Sequence, residues 1–335
     1  MPSIRVLKTF LKVVERGSFA AAGADIGLTA AAVGLQIRTL EEDLGRALFD
    51  RAGRSIVLNT AGRSAVPETI ELVRRYESLA TPDADGLAGT VVMGALVSAL
   101  MGAFSGALWQ LKRDHPLLEV KLFAGLSADF APRVENGELD AAVTTHSPRP
   151  LPASLRWTPL YSEPMVLIVP RRPHFKLATD PLEILRTAPF LRFDRSTWTG
   201  DLVAEVLAHS RVTVVEGLEV NSVETIVALV RQGYGVAIVP KLDNVAWARD
   251  ADLNVIPIPG NRTLRRVGLL ERGQHSRTQF TDAIKAHFIA RAEGAAATTS
   301  VLSPPTNGRA QAKVSDGLPY EPNANTVPSA TKRTR

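Results

Sequence analysis

Two hydroxyl residues, Ser18 and Thr29, each stand one position before a stretch with helical apolar spacing. A helix start leaves backbone N–H groups pointing outward, and such groups hold phosphate oxygens well. Arg38, Arg51 and Arg54 follow in the same stretch and bring guanidinium groups suited to phosphates. Farther along, Ser98, Ser127, Thr199 and Ser222 each sit at a junction between a β-rich run and a helical one. A hydroxyl beside free N–H groups there suits a carboxylate or phosphate, although for any one of the four the simpler role is a helix cap. Arg192 and Arg195 offer charge to an anion and Trp198 offers a face for stacking. Solvation of the arginines and packing of the tryptophan are the plainer alternatives.

The chemistry that is missing narrows the field. The 335 residues include no cysteine, which removes disulfides, thiolate metal sites and cysteine nucleophiles. His115, His146, His174, His209, His275 and His287 lack metal-ligand spacing. No nucleophile elbow or P-loop occurs, and the Gly-x-Gly at 233–235 precedes a strand, the wrong order for a dinucleotide fingerprint. No enzyme activity, cofactor or metal is therefore expected. Lys+Arg 39 against Asp+Glu 34 leaves +5, which permits a nucleic-acid partner without requiring one. No run reaches the ~18 apolar residues of a membrane span. The apolar residues near the N-terminus are interrupted by Arg5, Lys8 and Lys12, unlike a signal peptide, so a cytoplasmic location is expected.

Elements must position these residues. Residues 4–16 carry Val6, Leu7, Phe10, Leu11, Val13 and Val14 at helical spacing, and Gly17 ends them. A second helix reaches from residue 19 to Gly27. A third places Val33, Ile37, Leu40 and Leu44 on one stripe and Ala31, Leu35, Arg38 and Glu42 opposite. Two short helices across a glycine-containing turn form a helix-turn-helix, whose second helix enters a major groove with its N-terminal residues at base edges. Residues 48–51 and 56–58 flank a turn and read as a two-stranded wing, with Arg51 and Arg54 near its tip and Arg54 within reach of a minor groove. Residues 1–60 hold eight Lys or Arg against six Asp or Glu, so charge alone does not separate DNA binding from a packing module with a basic rim.

Thr60 is expected to cap a fourth helix running to about residue 79. Its Val66, Ile70, Val73 and Glu77, flanked by Leu72, Tyr76 and Leu79, offer a seam to a second copy or pack on the chain's own body. Pro67 and the Thr81-Pro82-Asp83 run shorten that seam. Strand-like runs at 90–96, 119–123, 139–145, 165–170, 189–193, 212–220 and 235–240 then alternate with helical runs at 99–115, 127–135, 201–209, 222–231 and 277–291. That alternation predicts parallel, doubly wound α/β sheets in two lobes, with crossings near 161–164 and 259–262. A ligand would lie in the cleft between the lobes, at strand ends. Residues 294–335, with Tyr320 as their one aromatic, are expected to be disordered.

The stretch from residue 10 to 62 resembles the LysR-type transcriptional regulators. The carrying segments are FLKVVERGSFAAAGADIGLT, AAVGLQIRTLEEDLGRALFDR and the Thr-Ala-Gly at 60–62. The plan of the rest agrees, so the resemblance covers about residues 3–292. It implies an N-terminal winged helix-turn-helix at 1–60, a linker and dimerisation helix with hinge at 61–88, a two-lobed periplasmic-binding-protein-like α/β effector domain at 89–293 and a tail at 294–335. It implies double-stranded promoter DNA and a small-molecule effector as partners, and a homodimer or homotetramer. DNA-contacting positions would be Ser18, Thr29, Ala30, Ala31, Gly34, Leu35, Gln36, Arg38, Arg51 and Arg54. Effector-facing positions would be Ser98, Ser127, Thr145, Phe193, Trp198, Thr199, Asn221 and Ser222. The chain departs from the family at Ala30, where Gln is usual, at Gly34, where Ser is usual, and at Leu35, where a basic residue is usual. That predicts weaker direct readout, or readout shifted to DNA shape and the wing. The expected function is a regulator responding to a small anionic metabolite; the alternative is a small-molecule sensor with vestigial DNA binding.

Overall fold

Ser3, Ser18 and Thr29 each accept a hydrogen bond from the backbone N–H three residues ahead, and each starts a helix. In the computed structural model, which describes residues 2–52, 55–78, 87–242, 245 and 247–301, these are α1 (Ile4–Arg16), α2 (Phe19–Ile26) and α3 (Ala30–Leu44). Each ends on a left-handed glycine, a conformation that costs any L side chain energy. Phe10, Val13, Ala22, Val33, Ile37 and Leu40 form the buried core of this module. Leu44, expected on the same stripe, is 42% exposed, because it lies in the last turn beyond the crossing. Two short antiparallel strands follow, β1 (Phe49–Ala52) and β2 (Ser55–Leu58), with Phe49 opposite Leu58. The Phe49 ring meets Phe10 edge-on at 5.7 Å, fixing this small wing on the helices.

The next helix, α4 (Thr60–Ser78), is capped by Asn59 rather than Thr60: the Asn59 Oδ1 accepts the Gly62 N–H at 2.8 Å. Its Val66 and Ile70 pack into the N-terminal core and Val73 is buried, so three of the four seam positions belong to the chain's own body. Leu72 and Tyr76 stay outside, each 55% exposed. Leu79 and Thr81-Pro82-Asp83 lie outside the described residues.

After residue 86 come β3 (Gly89–Ala95), α5 (Val97–Met101), α6 (Ala103–Asp114), β4 (Leu118–Ala124), α7 (Ser127–Glu135) and β5 (Ala141–Thr145). These are followed by β6 (Leu155–Pro170), α8 (Pro181–Thr187), β7 (Pro189–Phe193), α9 (Trp198–Ser210), β8 (Val215–Val220), α10 (Val223–Arg231), β9 (Ala237–Pro240), β10 (Leu253–Ile256), β11 (Leu264–Arg272) and α11 (Thr278–Val301). The helix expected at 99–115 is instead two helices broken at Gly102. The sheets are mixed rather than parallel throughout. Strand β3 pairs in parallel with β4 and β5, whereas β11 runs antiparallel to both β5 and β6.

The long strand β6 serves both lobes. Nine of its first ten residues, all but Leu160 at a register shift, pair with β11, and its stretch from Met165 pairs with β9 and β10. The expected crossing at 161–164 is therefore continuous strand rather than loop. Helix α11 continues to Val301, past the residue 294 at which disorder was expected, in keeping with the helix propensity of its Ala295-Ala296-Ala297 run. Residues 302–335 lie outside the described set. Among the described residues no single helix is long and apolar enough to cross a membrane.

Candidate functional site

Two separate surfaces gather the residues singled out by sequence. On α3, Ala30, Ala31, Leu35 and Arg38 face solvent, with Leu35 63% exposed. The Ser18 and Thr29 hydroxyl oxygens each cap their own helix, accepting the Ala21 N–H and the Ala32 N–H, and each keeps its O–H proton to give. Gln36 is half-buried, its Oε1 covered and without a hydrogen-bond partner. Gly34 adds no side chain, and a Cβ there would meet only the Phe19 ring, at 3.8 Å. Arg51 lies in β1, and Arg54 lies outside the described residues.

The second surface is a cavity of about 420 Å³ between the lobes. Ser98, Ser127, Phe193, Trp198, Thr199, Asn221 and Ser222 line it, seven of the eight positions expected there. Thr145 lines a neighbouring cleft instead, one that shares Trp198. Its backbone N–H nonetheless reaches the first cavity's wall, donating to the Ser127 Oγ at 3.0 Å. Asp194, Thr197 and Gly200 explain why the stretch before α9 turns so tightly. The Thr197 hydroxyl donates to the Asp194 carbonyl and accepts the Gly200 N–H, and a Cβ at residue 200 would stand 2.0 Å from that same carbonyl oxygen.

The helix starts around the cavity differ from expectation. Ser222 does cap α10, accepting from Thr225 N–H at 3.1 Å. Thr199 lies inside α9, whose cap is Thr197, and Ser98 lies inside α5. Ser127 is the first residue of α7, and Leu126 before it offers no side-chain cap. The N-terminus of α7 thus meets the cavity with its backbone donors uncovered by any cap side chain.

Sequence reading missed the two most buried charges of the site. Arg265 on β11 and Glu163 on β6 are cross-strand partners, each with a side chain 1% exposed. Arg265 Nε donates to Glu163 Oε2 at 2.8 Å, and its Nη1 donates to Ser98 Oγ at 3.0 Å. Arg265 lines the cavity. A guanidinium has no acceptor and a backbone N–H can only donate, so Ser98 and Ser127 are both acceptors in these bonds. Each is left with its O–H proton to give. On the opposite wall Ser222 gives its proton to Glu224 at 2.7 Å. Asp129 and Glu224 also line the cavity, in the first turns of α7 and α10. Arg195, a sequence candidate for an anion, is held by Glu216 and Glu219, and those exposed bonds raise its pKa. The buried Arg192 guanidinium is pulled below its usual value by burial and by Arg195; neither arginine lines the cavity. Among the described residues no cluster of His, Asp or Glu is arranged to hold a metal.

A family model described as the bacterial regulatory helix-turn-helix protein, lysR family, matches residues 4–63, and one described as the LysR substrate binding domain matches residues 84–292. The chain is similar to a probable RuBisCO transcriptional regulator of Cyanophora paradoxa, 31% identical over 272 residues, covering 76% of this chain and 80% of the relative. It is similar to the transcriptional activator IlvY of Salmonella typhimurium, 29% identical, covering 71% and 82%. Among solved structures, a variant of full-length OxyR from Pseudomonas aeruginosa matches with a TM-score of 0.65 at 21% identity, covering 85% of this chain and 94% of that one. Full-length CbnR in complex with its target DNA matches at 0.57 and 21%, covering 87% and 99%. At these identities the structures show a shared fold.

Proposed function

The chain belongs to the LysR family of DNA-binding transcriptional regulators, and from that premise we propose that residues 1–60 grip an operator while residues 89–293 bind a compact monoanionic metabolite. The observation that carries the ligand class is the lobe-one wall of the cavity. Ser98 and Ser127 accept hydrogen bonds from Arg265 and from Thr145 N–H, so both hydroxyls present a proton, and they do so beside the uncapped start of α7. Donors gathered in this way complement a carboxylate or phosphate oxygen. Asp129 and Glu224 set the limit: a second negative charge on the ligand would face these carboxylates. Leu96, Val97, Phe193, Trp198 and Val223 supply apolar wall for the ligand's body.

The residues proposed to face the ligand are Ser98, Ser127, Phe193, Trp198, Thr199, Asn221 and Ser222, with Arg265 added and Thr145 acting through Ser127. Residues 61–88 are proposed to carry the signal and the dimer, with Leu72 and Tyr76 as the outward apolar residues of α4. A dimer suits a winged module that covers one half-site. The ligand would act by binding one lobe arrangement better than the other. Mobility shift against the chain's own upstream region, at two salt concentrations, tests the DNA arm. Binding that weakens steeply with salt is expected, and no binding in dilute buffer contradicts it.

A further inference from the structure

We infer that α3 recognises thymine methyl groups through Leu35, supported by Ala30 and Ala31, and so selects A·T pairs at the centre of its contact. This deepens the DNA-binding reading above and rests on it. The argument is one of elimination on a single helix face. In the N-terminal half of α3, residues 30–37, Gln36 is the one side chain with hydrogen-bonding groups, and it is half-buried. The Thr29 hydroxyl oxygen accepts the Ala32 N–H at 3.2 Å, which holds it at the helix start with its O–H left for a phosphate. Gln36 keeps its amide oxygen buried, and Gly34 has no side chain.

What remains outward is Ala30, Ala31 and a Leu35 that is 63% exposed. One turn on, at the three-residue spacing that keeps to the same face, Arg38 is exposed and forms no ion pair among the described residues. A single exposed leucine on a protein surface calls for no explanation. This one is different because it lies on the outer face of a recognition helix, one turn after Ala31 and one turn before the exposed Arg38. In a major groove the one bulky apolar group on offer is the thymine C5-methyl, which stands among donors and acceptors. Leucine over a cytosine amino or guanine carbonyl edge would strip water from it and return no hydrogen bond, which penalises those bases. Arg38 then supplies the polar contact, to a phosphate or a guanine edge.

The test uses the full-length protein and a random duplex pool. The best-bound duplex is resynthesised with single thymines replaced by deoxyuridine, which deletes the methyl and leaves the pairing intact. Wild-type protein is expected to lose about fourfold in affinity for each methyl it covers, at one or more thymines in each half-site. Leu35→Ser is expected to weaken binding to the thymine duplex by a similar factor and to become indifferent to deoxyuridine there. Arg38→Ala is expected to bind less tightly yet keep the deoxyuridine penalty. Equal affinity of the wild type for thymine and deoxyuridine at every position overturns the inference while leaving DNA binding standing. So does a Leu35→Ser protein that keeps the penalty, or one that changes only its oligomeric state. Failure to enrich any duplex removes the inference together with the DNA-binding reading beneath it.

Discussion

The N-terminal module and the two lobes handle polarity in opposite ways. Among the described residues up to Ser78, no charged side chain is buried. The lobes bury Asp140, Glu163, Arg192, Arg265, Glu271 and Arg272. The same contrast appears at helix starts. Helix α3 is sealed by its own Thr29, whereas α7, facing the cavity, begins after Leu126 with no side-chain cap. A module without buried charge is a rigid body to be placed on a partner. Lobes that bury charge and leave donors free have polar capacity to spend on a ligand. Buried charge also carries a liability, since removing one partner strands the other in a low-dielectric interior.

The largest test of that contrast is to break the cavity's buried pair. Arg265→Met leaves the Glu163 carboxylate without its guanidinium and should lower stability by about 3–5 kcal/mol in urea unfolding. A loss under about 1 kcal/mol would mean the pair is not the buried interaction described. A second buried carboxylate, Asp140, at the other end of the β5–β11 ladder, offers a parallel experiment, because Arg74 of α4 reaches across to it. That contact ties the linker helix to the lobe.

Acid should separate the two regions. Burial alone would raise the Glu271 pKa, but hydrogen bonds from His275, Lys285 and Thr281, with the Lys285 charge, bring it from 4.5 down to about 2. The folded-state value lies below the unfolded one, so the stabilisation is complete above about pH 4.5 and is lost as pH falls toward 2. All four tryptophans, Trp109, Trp157, Trp198 and Trp247, lie in the lobes. Their fluorescence should therefore change at a higher pH than the helical circular dichroism, to which the N-terminal helices also contribute. Coincident transitions would contradict the division.

Smaller effects sharpen it further. Ser127→Ala should weaken ligand binding about tenfold or more, the scale of one hydrogen bond to a charged group, without changing ligand-free DNA affinity. Thr29→Ala should cost about 1 kcal/mol by removing the α3 cap. Gly34→Ala should add up to about 1 kcal/mol, since its Cβ meets only a ring at 3.8 Å. A destabilised Gly34→Ala protein would mean the α3–α2 packing is tighter than described.

How much of this was legible in advance depends on the distance over which each feature is decided. Ser18, Thr29 and Ser222 were readable as helix starts because a cap and its helix are adjacent in sequence. Thr197 and Thr199 stand two apart, and both have the right chemistry. Which one caps is set by the turn through Asp194 and Gly200, so the wrong one was chosen. Strand β11 went unread because its Arg265, Arg266, Glu271 and Arg272 look like a solvated surface. Arg266 is indeed exposed, but Arg265, Glu271 and Arg272 are buried, with partners such as Glu163, 102 residues from Arg265. The Asn59 cap was missed because Thr60, next to it, is also a good cap residue. The positions expected around the cavity came from the family resemblance. The bonds that orient their hydroxyls came from strand register, which local patterning does not encode.

The proposal that the lobe-one wall holds an anion is tested most directly by calorimetric titration of the full-length protein with small carboxylic acids and their neutral amides, in matched pairs. At least one carboxylate should bind, its amide at least tenfold more weakly, and Ser127→Ala should narrow that gap. Amides that bind as tightly as their carboxylates, or a panel in which amides bind and no carboxylate does, would contradict it.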